Sequence, residues 1–409
     1  MHKKILIAIG DVGNGHRSGA NALTDSFNKL YPDIEVKTVD VFKLSNLWPY
    51  NETDELYKTM SKSKPLEKIN NTVFKITNTK YLYDVFTNYN VTQLYETTLQ
   101  LLKEEKPDLV ISVHPIVSMV LERMREEMEF LSVVVITDLI TLYRGWADKN
   151  ADLIFCPTTE AVKTLTEFGV NHNRIIYPLF PINPRLKHYR NKSEVFNELE
   201  FDLNKQTILI TAGGAGIKTL GKSIDNLSKK EDLQLIIIAG KVEDYRIKLT
   251  EKYKNNKRIK VFGFINNIQD YLNACDIIIG KPGPATILEI ELFDKKAVLT
   301  RKVGEQEVGN IDYAIRNPKF RYIGDDARKL EPAVNELLNM KLIKPNSFKR
   351  RSFDESQMIV KDIYKLLTKG KEIENSYVEN RKIENFLATT VLISAIGVGI
   401  YKLIRRFSK

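Results

Sequence analysis

Cysteine is nearly missing from this chain: Cys156 and Cys275 are the two among 409 residues. That excludes a disulfide framework and a cysteine-rich zinc site, and it fits a reducing compartment. Histidine is scarce as well. His2, His16, His114, His172 and His188 form no cluster with metal-ligand spacing, so no metal is expected. Low-complexity tracts are absent, and hydrophobic residues at 43% against 28% charged exclude disorder for most of the chain. No secretory leader is read at the start. The apolar run Ile5–Ile9 is too short for one and leads straight into a glycine loop, so it reads as a first strand. The length corresponds to about two domains.

What the chain has in excess is positive charge at one end. The formal net charge is +10, and residues 341–409 carry 15 Lys+Arg against 7 Asp+Glu. Within that region lies the one long apolar run. Phe386–Ile404 is 19 residues with a single charge, Lys402; Arg381 and Lys382 precede it, and Arg405 and Arg406 follow. As a helix it would span roughly 28 Å, close to one hydrocarbon core. Lys402 can snorkel to the interface. A buried or in-plane helix is the alternative reading. Beside an apolar run and without any recognition motif, the basic excess points to anionic lipid and away from nucleic acid. The expectation is a membrane-associated protein with its catalytic domains cytoplasmic and a single C-terminal helical anchor.

Elsewhere short apolar strands alternate with helical stretches. Candidate strands are Ile5–Ile9, Glu35–Val39, Leu109–Val113, Val133–Thr137 and Leu153–Phe155. After the proline-rich connector Pro178–Pro184 the pattern restarts with Thr207–Thr211, Leu233–Ala239, Ile259–Phe262, Asp276–Ile279, Lys296–Thr300 and Arg321–Ile323. This is the pattern of parallel sheets built from βαβ units, and two runs joined by a proline linker imply two Rossmann-like domains. The expected division is 1–180, 181–345, a closing helix at 346–369, a charged tether at 370–385 and the membrane helix at 386–404. Ligands are expected at the carboxyl ends of the strands. The stretch Leu47–Tyr95 mixes aromatics with lysines at poor periodicity. It suits either headgroup contact or ordinary helix packing.

Four loops carry the chemistry. Gly10–His16 (GDVGNGH) follows the first strand and opens a helix, where glycines permit a sharp turn and the helix start favours negative charge. His16 at that entry is held neutral and can accept a proton; a capping histidine without chemistry fits equally. Thr211–Gly216 (TAGGAG) repeats the phosphate-cradle pattern in the second half, with Lys218 as a nearby cation. Gly280–Glu289 (GKPGPATILE) is a tight turn leading to a helix whose Glu289 can accept two ribose hydroxyls. Gly304–Asn310 (GEQEVGN) is polar and suited to sugar hydroxyls. His114, at the end of a strand, fits a site role or a structural one.

Together GNGHRSGANAL, FGFINNIQDYLNACDIIIGKPGPATILEIE and GEQEVGN resemble the GT-B (GT28-like) glycosyltransferases of the monogalactosyldiacylglycerol synthase and processive diacylglycerol glucosyltransferase family. PDLVISVHP and ITDL…W…ADLIFCPTTEAVKTLTEFGV add to the resemblance, which runs from about Lys3 to Leu367. It implies two Rossmann-like domains facing across a cleft, the first toward the acceptor and membrane and the second toward a UDP-sugar. It further implies inverting transfer of glucose or galactose to a lipid hydroxyl, most simply that of diacylglycerol. No cofactor or metal is implied; the UDP-hexose is a substrate.

Residue by residue, the resemblance makes His16, next to Gly15, the base for the acceptor hydroxyl. Gly213, Gly214 and Gly216 face the diphosphate, and Phe264 offers backbone groups to uracil. Glu289, with Gly283 and Thr286 shaping its turn, binds ribose, while Gln306, Glu307 and Asn310 lie near the donor sugar. Trp146 and Asp138 fall on the acceptor side with His114. Near Trp146 the family often has a histidine where this chain has Leu142-Tyr143-Arg144. The competing readings are a transferase of N-acetylglucosamine to a polyprenyl-linked acceptor, a UDP-N-acetylglucosamine 2-epimerase-like enzyme and a tail-anchored scaffold on an inactive GT-B fold.

Overall fold

The computed structural model describes residues 3–12, 15–47, 50–52, 64–125, 127–211, 220–341 and 351–369. The expected tether and membrane helix, 370–404, lie outside them, as do Gly213, Gly214 and Gly216. Among the described residues no helix is long and apolar enough to cross a membrane. The chain forms two compact α/β units.

The first unit is built on a six-stranded parallel sheet: β1 (Lys4–Ile9), β2 (Glu35–Asp40), β3 (Leu109–Ser112), β4 (Leu131–Val135), β5 (Leu153–Phe155) and β6 (Ile175–Ile176), in the order β2-β1-β3-β4-β5-β6. Every side chain from Ile5 to Ile9 is buried, and strand alternation sorts them onto two faces. Ile5, Ile7 and Ile9 meet Leu23 and Phe27 of the first helix, Gly15–Leu30, together with Ile359, Val360 and Ile363. Leu6 and Ala8 meet Leu94, Leu101, Val117 and Leu121 on the other face. Ile359, Val360 and Ile363 belong to the helix Glu355–Lys369, so the closing helix packs on the first sheet although it follows the second in sequence. That return is invisible to a linear division of the chain.

The second unit repeats the plan with β7 (Gln206–Thr211), β8 (Leu233–Ile238), β9 (Ile259–Phe262), β10 (Ile277–Gly280), β11 (Lys296–Thr300) and β12 (Phe320–Gly324), in the order β12-β11-β10-β7-β8-β9. Its connector boundary falls at Ile182, and the short segment Asp138–Thr141 clusters with it. In both sheets the order reverses beside the unit's first strand, between β1 and β3 and between β7 and β10. Such switch points leave the crevice in which doubly wound sheets bind ligands. The turns that leave β1 and β10, both read from the sequence, start at these points.

Two helices fill the aromatic stretch: Lys64–Thr77 and Lys80–Glu105. Of its aromatics, Tyr50 is buried, Phe74 and Tyr83 pack against Tyr143, and Tyr81 stands in water. Ordinary packing accounts for Tyr50, Phe74 and Tyr83, and it leaves Tyr81 exposed. Trp48 and Tyr57 lie outside the described residues.

Candidate active site

In the first unit the site grows out of the turn after β1. A Cβ on Gly10 would stand 2.6–2.9 Å from the Phe42 ring, so a glycine is needed for the turn to lie on that ring. Arg17 donates to one oxygen of Asp11 from Nε at 3.0 Å and from Nη2 at 2.9 Å. The same guanidinium lies 3.8 Å from Asp40, whose carboxylate caps the helix Val41–Ser45. The loop is thus tied to the first turn of the helix that carries His16.

His16 Nδ1 lies 3.0 Å from the Thr137 hydroxyl oxygen, at the end of the segment following β4. This approach depends on Gly19, one helical turn further on. A Cβ there would be 3.0 Å from Thr137 Cγ2 and 3.1 Å from Pro181 Cγ. Burial pushes the imidazole down to a pKa of about 4, against the pull of a hydrogen bond with the Val113 backbone and the charge of Asp11. His16 is therefore neutral at neutral pH.

His114 and Trp146 form the wall behind it. The His114 ring centroid is 4.6 Å from that of His16 and the Trp146 ring 6.0 Å. His114 Nδ1 accepts from the Ile116 N–H at 3.2 Å and caps the helix Pro115–Met124, which leaves its proton on Nε2. Burial holds its pKa well below the usual range, helped by His16. Trp146 is wholly buried. Both rings stand against that of His16. The sequence analysis named Asp138 and not its neighbour Thr137; the structure places the threonine on His16.

In the second unit, Glu289 lies on the helix Pro284–Leu292 that follows β10, and Gly283 caps that helix. Thr286, in the first turn, has Oγ1 3.6 Å from where a Cβ on Gly283 would be. Burial alone raises the Glu289 carboxyl to a pKa of about 7. No hydrogen bond or ion pair joins it to another described residue, the ordinary condition of a carboxyl that faces a ligand. Asn310 is fully buried. Its Nδ2 donates to the Pro282 carbonyl at 3.2 Å, while its Oδ1 has no partner among the described residues. Phe264 is 65% exposed, with the Lys241 ammonium 5.8 Å from its ring centroid. Its backbone N–H and C=O make no bond to other described residues.

Glu307 behaves differently. Its carboxylate lies 2.7 Å from Lys281 Nζ and accepts the Val303 N–H. Burial raises its pKa and Lys281 opposes that rise. It braces the turn. Gln306 folds over Gly304, where φ is +87° and a Cβ would meet the amide at 2.5–2.9 Å, so only glycine fits. Gly309 donates to the Thr141 hydroxyl at 3.0 Å, and a Cβ there would sit 2.5–2.8 Å from Thr141 and Ile140. That contact fastens the Asp138–Thr141 segment to the second unit. Asp138, the first residue of that segment, clusters with this unit. Neither the bracing role of Lys281 nor that of Thr141 was read from the sequence; a lysine directly after a buried strand was the available signal.

Two doubly wound units, each with its ligand-competent groups at the switch point, define a GT-B type architecture. The solved S. aureus MnaA-UDP co-structure shares it at a TM-score of 0.58 and 17% identity, covering 91% of this chain and 100% of that one. Residues 16–182 match the family model for monogalactosyldiacylglycerol (MGDG) synthase, and residues 207–307 match the glycosyltransferase family 28 C-terminal domain. The chloroplastic monogalactosyldiacylglycerol synthase 3 of Arabidopsis thaliana is 29% identical over 389 residues, 91% of this chain and 83% of that protein. The chloroplastic "Probable monogalactosyldiacylglycerol synthase 3" of Oryza sativa subsp. japonica is 30% identical over 89% of this chain and 74% of its own length. The chain belongs to the monogalactosyldiacylglycerol synthase family and is a glycosyltransferase.

Proposed function

We propose that the chain transfers a hexose from a UDP-sugar to the free hydroxyl of diacylglycerol, with inversion at the anomeric carbon. The observation that carries the reading is the neutral, half-buried His16 at the head of the first helix. The tautomer that base chemistry requires has Nδ1–H donating to the Thr137 oxygen, which leaves the Nε2 lone pair for the acceptor proton. A weak base in the resting state, the imidazole takes the proton as the acceptor oxygen bonds to the anomeric carbon and the bond to UDP breaks. Asp11, whose charge already favours the imidazolium, stabilises it once formed.

On the donor side Glu289 accepts the ribose hydroxyls, the free backbone groups around Phe264 meet the base, and the unpartnered Asn310 oxygen takes a sugar hydroxyl. Glu307 acts through Lys281 and Val303, holding the turn that carries the donor-side groups. The glycines at 213, 214 and 216 supply amides to the departing diphosphate in this scheme, and no step calls for a metal. The acceptor is a membrane lipid, so the enzyme works at a bilayer surface. The apolar, basic-flanked segment 386–404 supports an anchor there.

The test is direct. Full-length protein with diacylglycerol in phospholipid vesicles is offered UDP-glucose, UDP-galactose or UDP-N-acetylglucosamine, and lipid products are read by mass spectrometry. The expected result is a hexosyl-diacylglycerol with one of the first two donors. UDP binding without any product would overturn the acceptor assignment and point to the Leu142–Arg144 departure. Absence of both product and UDP binding would indicate an inactive scaffold.

A further inference from the structure

At the corner between helices Lys64–Thr77 and Lys80–Glu105, three large apolar side chains stand in water: Ile76 is 46% exposed, Tyr81 78% and Leu82 36%. Lys68, Lys75 and Lys80 are exposed around them. Between residues 64 and 80 there are four lysines, Lys64, Lys68, Lys75 and Lys80, against the single acid Glu67. Further along the second helix the exposed positions are polar: Asp84, Asn88, Thr92, Glu96 and Gln100. Among the described side chains of these two helices, large apolar exposure is confined to the corner.

The corner is also firmly held. Asn78 Oδ1 accepts the Arg144 N–H at 2.7 Å, Asn78 Nδ2 donates to the Leu142 carbonyl at 3.2 Å, and Arg144 Nε donates to the Asn78 carbonyl at 2.8 Å. Beneath it, Phe74 and Tyr83 pack on the Tyr143 ring. Leu142-Tyr143-Arg144 leads directly to Trp146, whose ring is 6.0 Å from that of His16. The residues that depart from the family pattern therefore clamp the exposed corner to the wall behind the candidate base.

We propose that this corner docks into the headgroup layer of an anionic bilayer and sets the depth at which the first unit meets its lipid substrate. The inference rests on the lipid-acceptor reading above and names the surface that serves it. Tyr81 has the amphipathic ring that settles at a membrane interface. The lysine stems lie along the apolar patch while their ammonium groups reach lipid phosphates. Each lysine near an anionic surface strengthens binding by about fivefold, an effect that salt screens.

The experiment places an environment-sensitive fluorophore at position 82 by Leu82→Cys in the full chain, with Gln100→Cys as a control on the polar part of the same helix. Cys156 and Cys275 are buried and escape labelling. Vesicles of phosphatidylcholine, with or without phosphatidylglycerol, are added without any sugar nucleotide. The expected result is a blue shift and loss of iodide quenching at position 82 on phosphatidylglycerol vesicles, reversed by salt, with position 100 unchanged. A label at 82 that stays in water on both vesicle types, or that behaves like the label at 100, overturns the proposal and leaves the corner to a protein partner. Because this readout needs no catalysis, it stands apart from the transfer assay. The variant Ile76→Ser/Tyr81→Ser/Leu82→Ser should turn over diacylglycerol in vesicles about tenfold more slowly, while a soluble short-chain diacylglycerol reacts at the original rate. Equal loss on both acceptors would overturn the docking role. A wild-type chain that glycosylates neither acceptor would instead overturn the functional reading.

Discussion

His16 and Glu289 occupy equivalent places, each on an element that leaves a strand at the switch point of its own sheet, and burial drives each toward its neutral form. Their surroundings differ. Around His16 the polar groups are joined to one another: Arg17 to Asp11, Thr137 to His16, and His114 to the Ile116 amide. Around Glu289 the groups that matter have no partner among the described residues, namely its own carboxyl, the Asn310 oxygen and the backbone of Phe264. The Asn310 oxygen is buried as well as unpaired, which is costly, so the second unit gains when a polar ligand arrives. The first unit is already assembled and has only a proton to handle. A hydroxylated, charged donor suits the one, and a lipid with a single hydroxyl suits the other.

The sharpest way to break this comparison is to remove the base. His16→Ala should lower turnover by about 10²–10⁴-fold. UDP affinity, measured by calorimetry, should not change, because the donor groups lie in the other unit. A matching loss of UDP binding would make His16 structural and dissolve the division of labour.

The second test works on the donor side and carries a pH signature. Glu289→Gln should weaken UDP binding by roughly 10–100-fold at pH 8, since a charged acceptor contributes about 1.5–3 kcal/mol to its hydrogen bonds. The wild-type carboxyl has a pKa near 7, raised from the usual glutamate value, so it is charged only above that pH. Wild-type affinity should therefore rise between pH 6 and 8, and the gap to the Gln variant should close as pH falls. The variant, titrated alongside, corrects for protonation of the diphosphate itself. A constant gap across that range would mean Glu289 does not titrate in the site.

These assignments show how far the residues alone could be read. The eleven longer strands follow from short apolar runs between helical stretches, and the turns leaving β1 and β10 start at the switch points because each directly follows a strand there. The two-residue strand β6 carries no such signal. Three-dimensional returns were illegible for a different reason. The closing helix packs on the first sheet, and Asp138–Thr141 joins the second unit, through contacts between residues far apart in sequence. Side-chain bookkeeping was hidden too. Glu289 and Glu307 look alike in the sequence, yet one carboxyl is left without a described partner and the other is held by Lys281 and Val303. Trp146, read on the acceptor side, is wholly buried, with its ring centroid 6.0 Å from that of His16.

The smallest expected effect concerns the Thr137 hydroxyl, and it sharpens the comparison most finely. Thr137 is buried, its oxygen lies 3.0 Å from His16 Nδ1, and Gly19 leaves room for that approach. Thr137→Val keeps the shape and removes the oxygen. One hydrogen bond of about 1 kcal/mol is lost, which corresponds to turnover falling about fivefold. UDP affinity should stay as it is, and Thr137→Ser should restore the rate because it returns the oxygen. The acid limb of kcat at saturating UDP-sugar, where the titration of Glu289 drops out, reports the same bond. With His16 near pKa 4, activity in the wild type should disappear only as pH falls through about 4, where the imidazole becomes charged. An imidazole that has lost an acceptor for its Nδ1 proton is less able to hold a second one, so the Val variant should keep its activity to a lower pH still. If Val and Ser variants were equally slow, the threonine would serve packing alone. The tautomer on which His16 acts would then need another source.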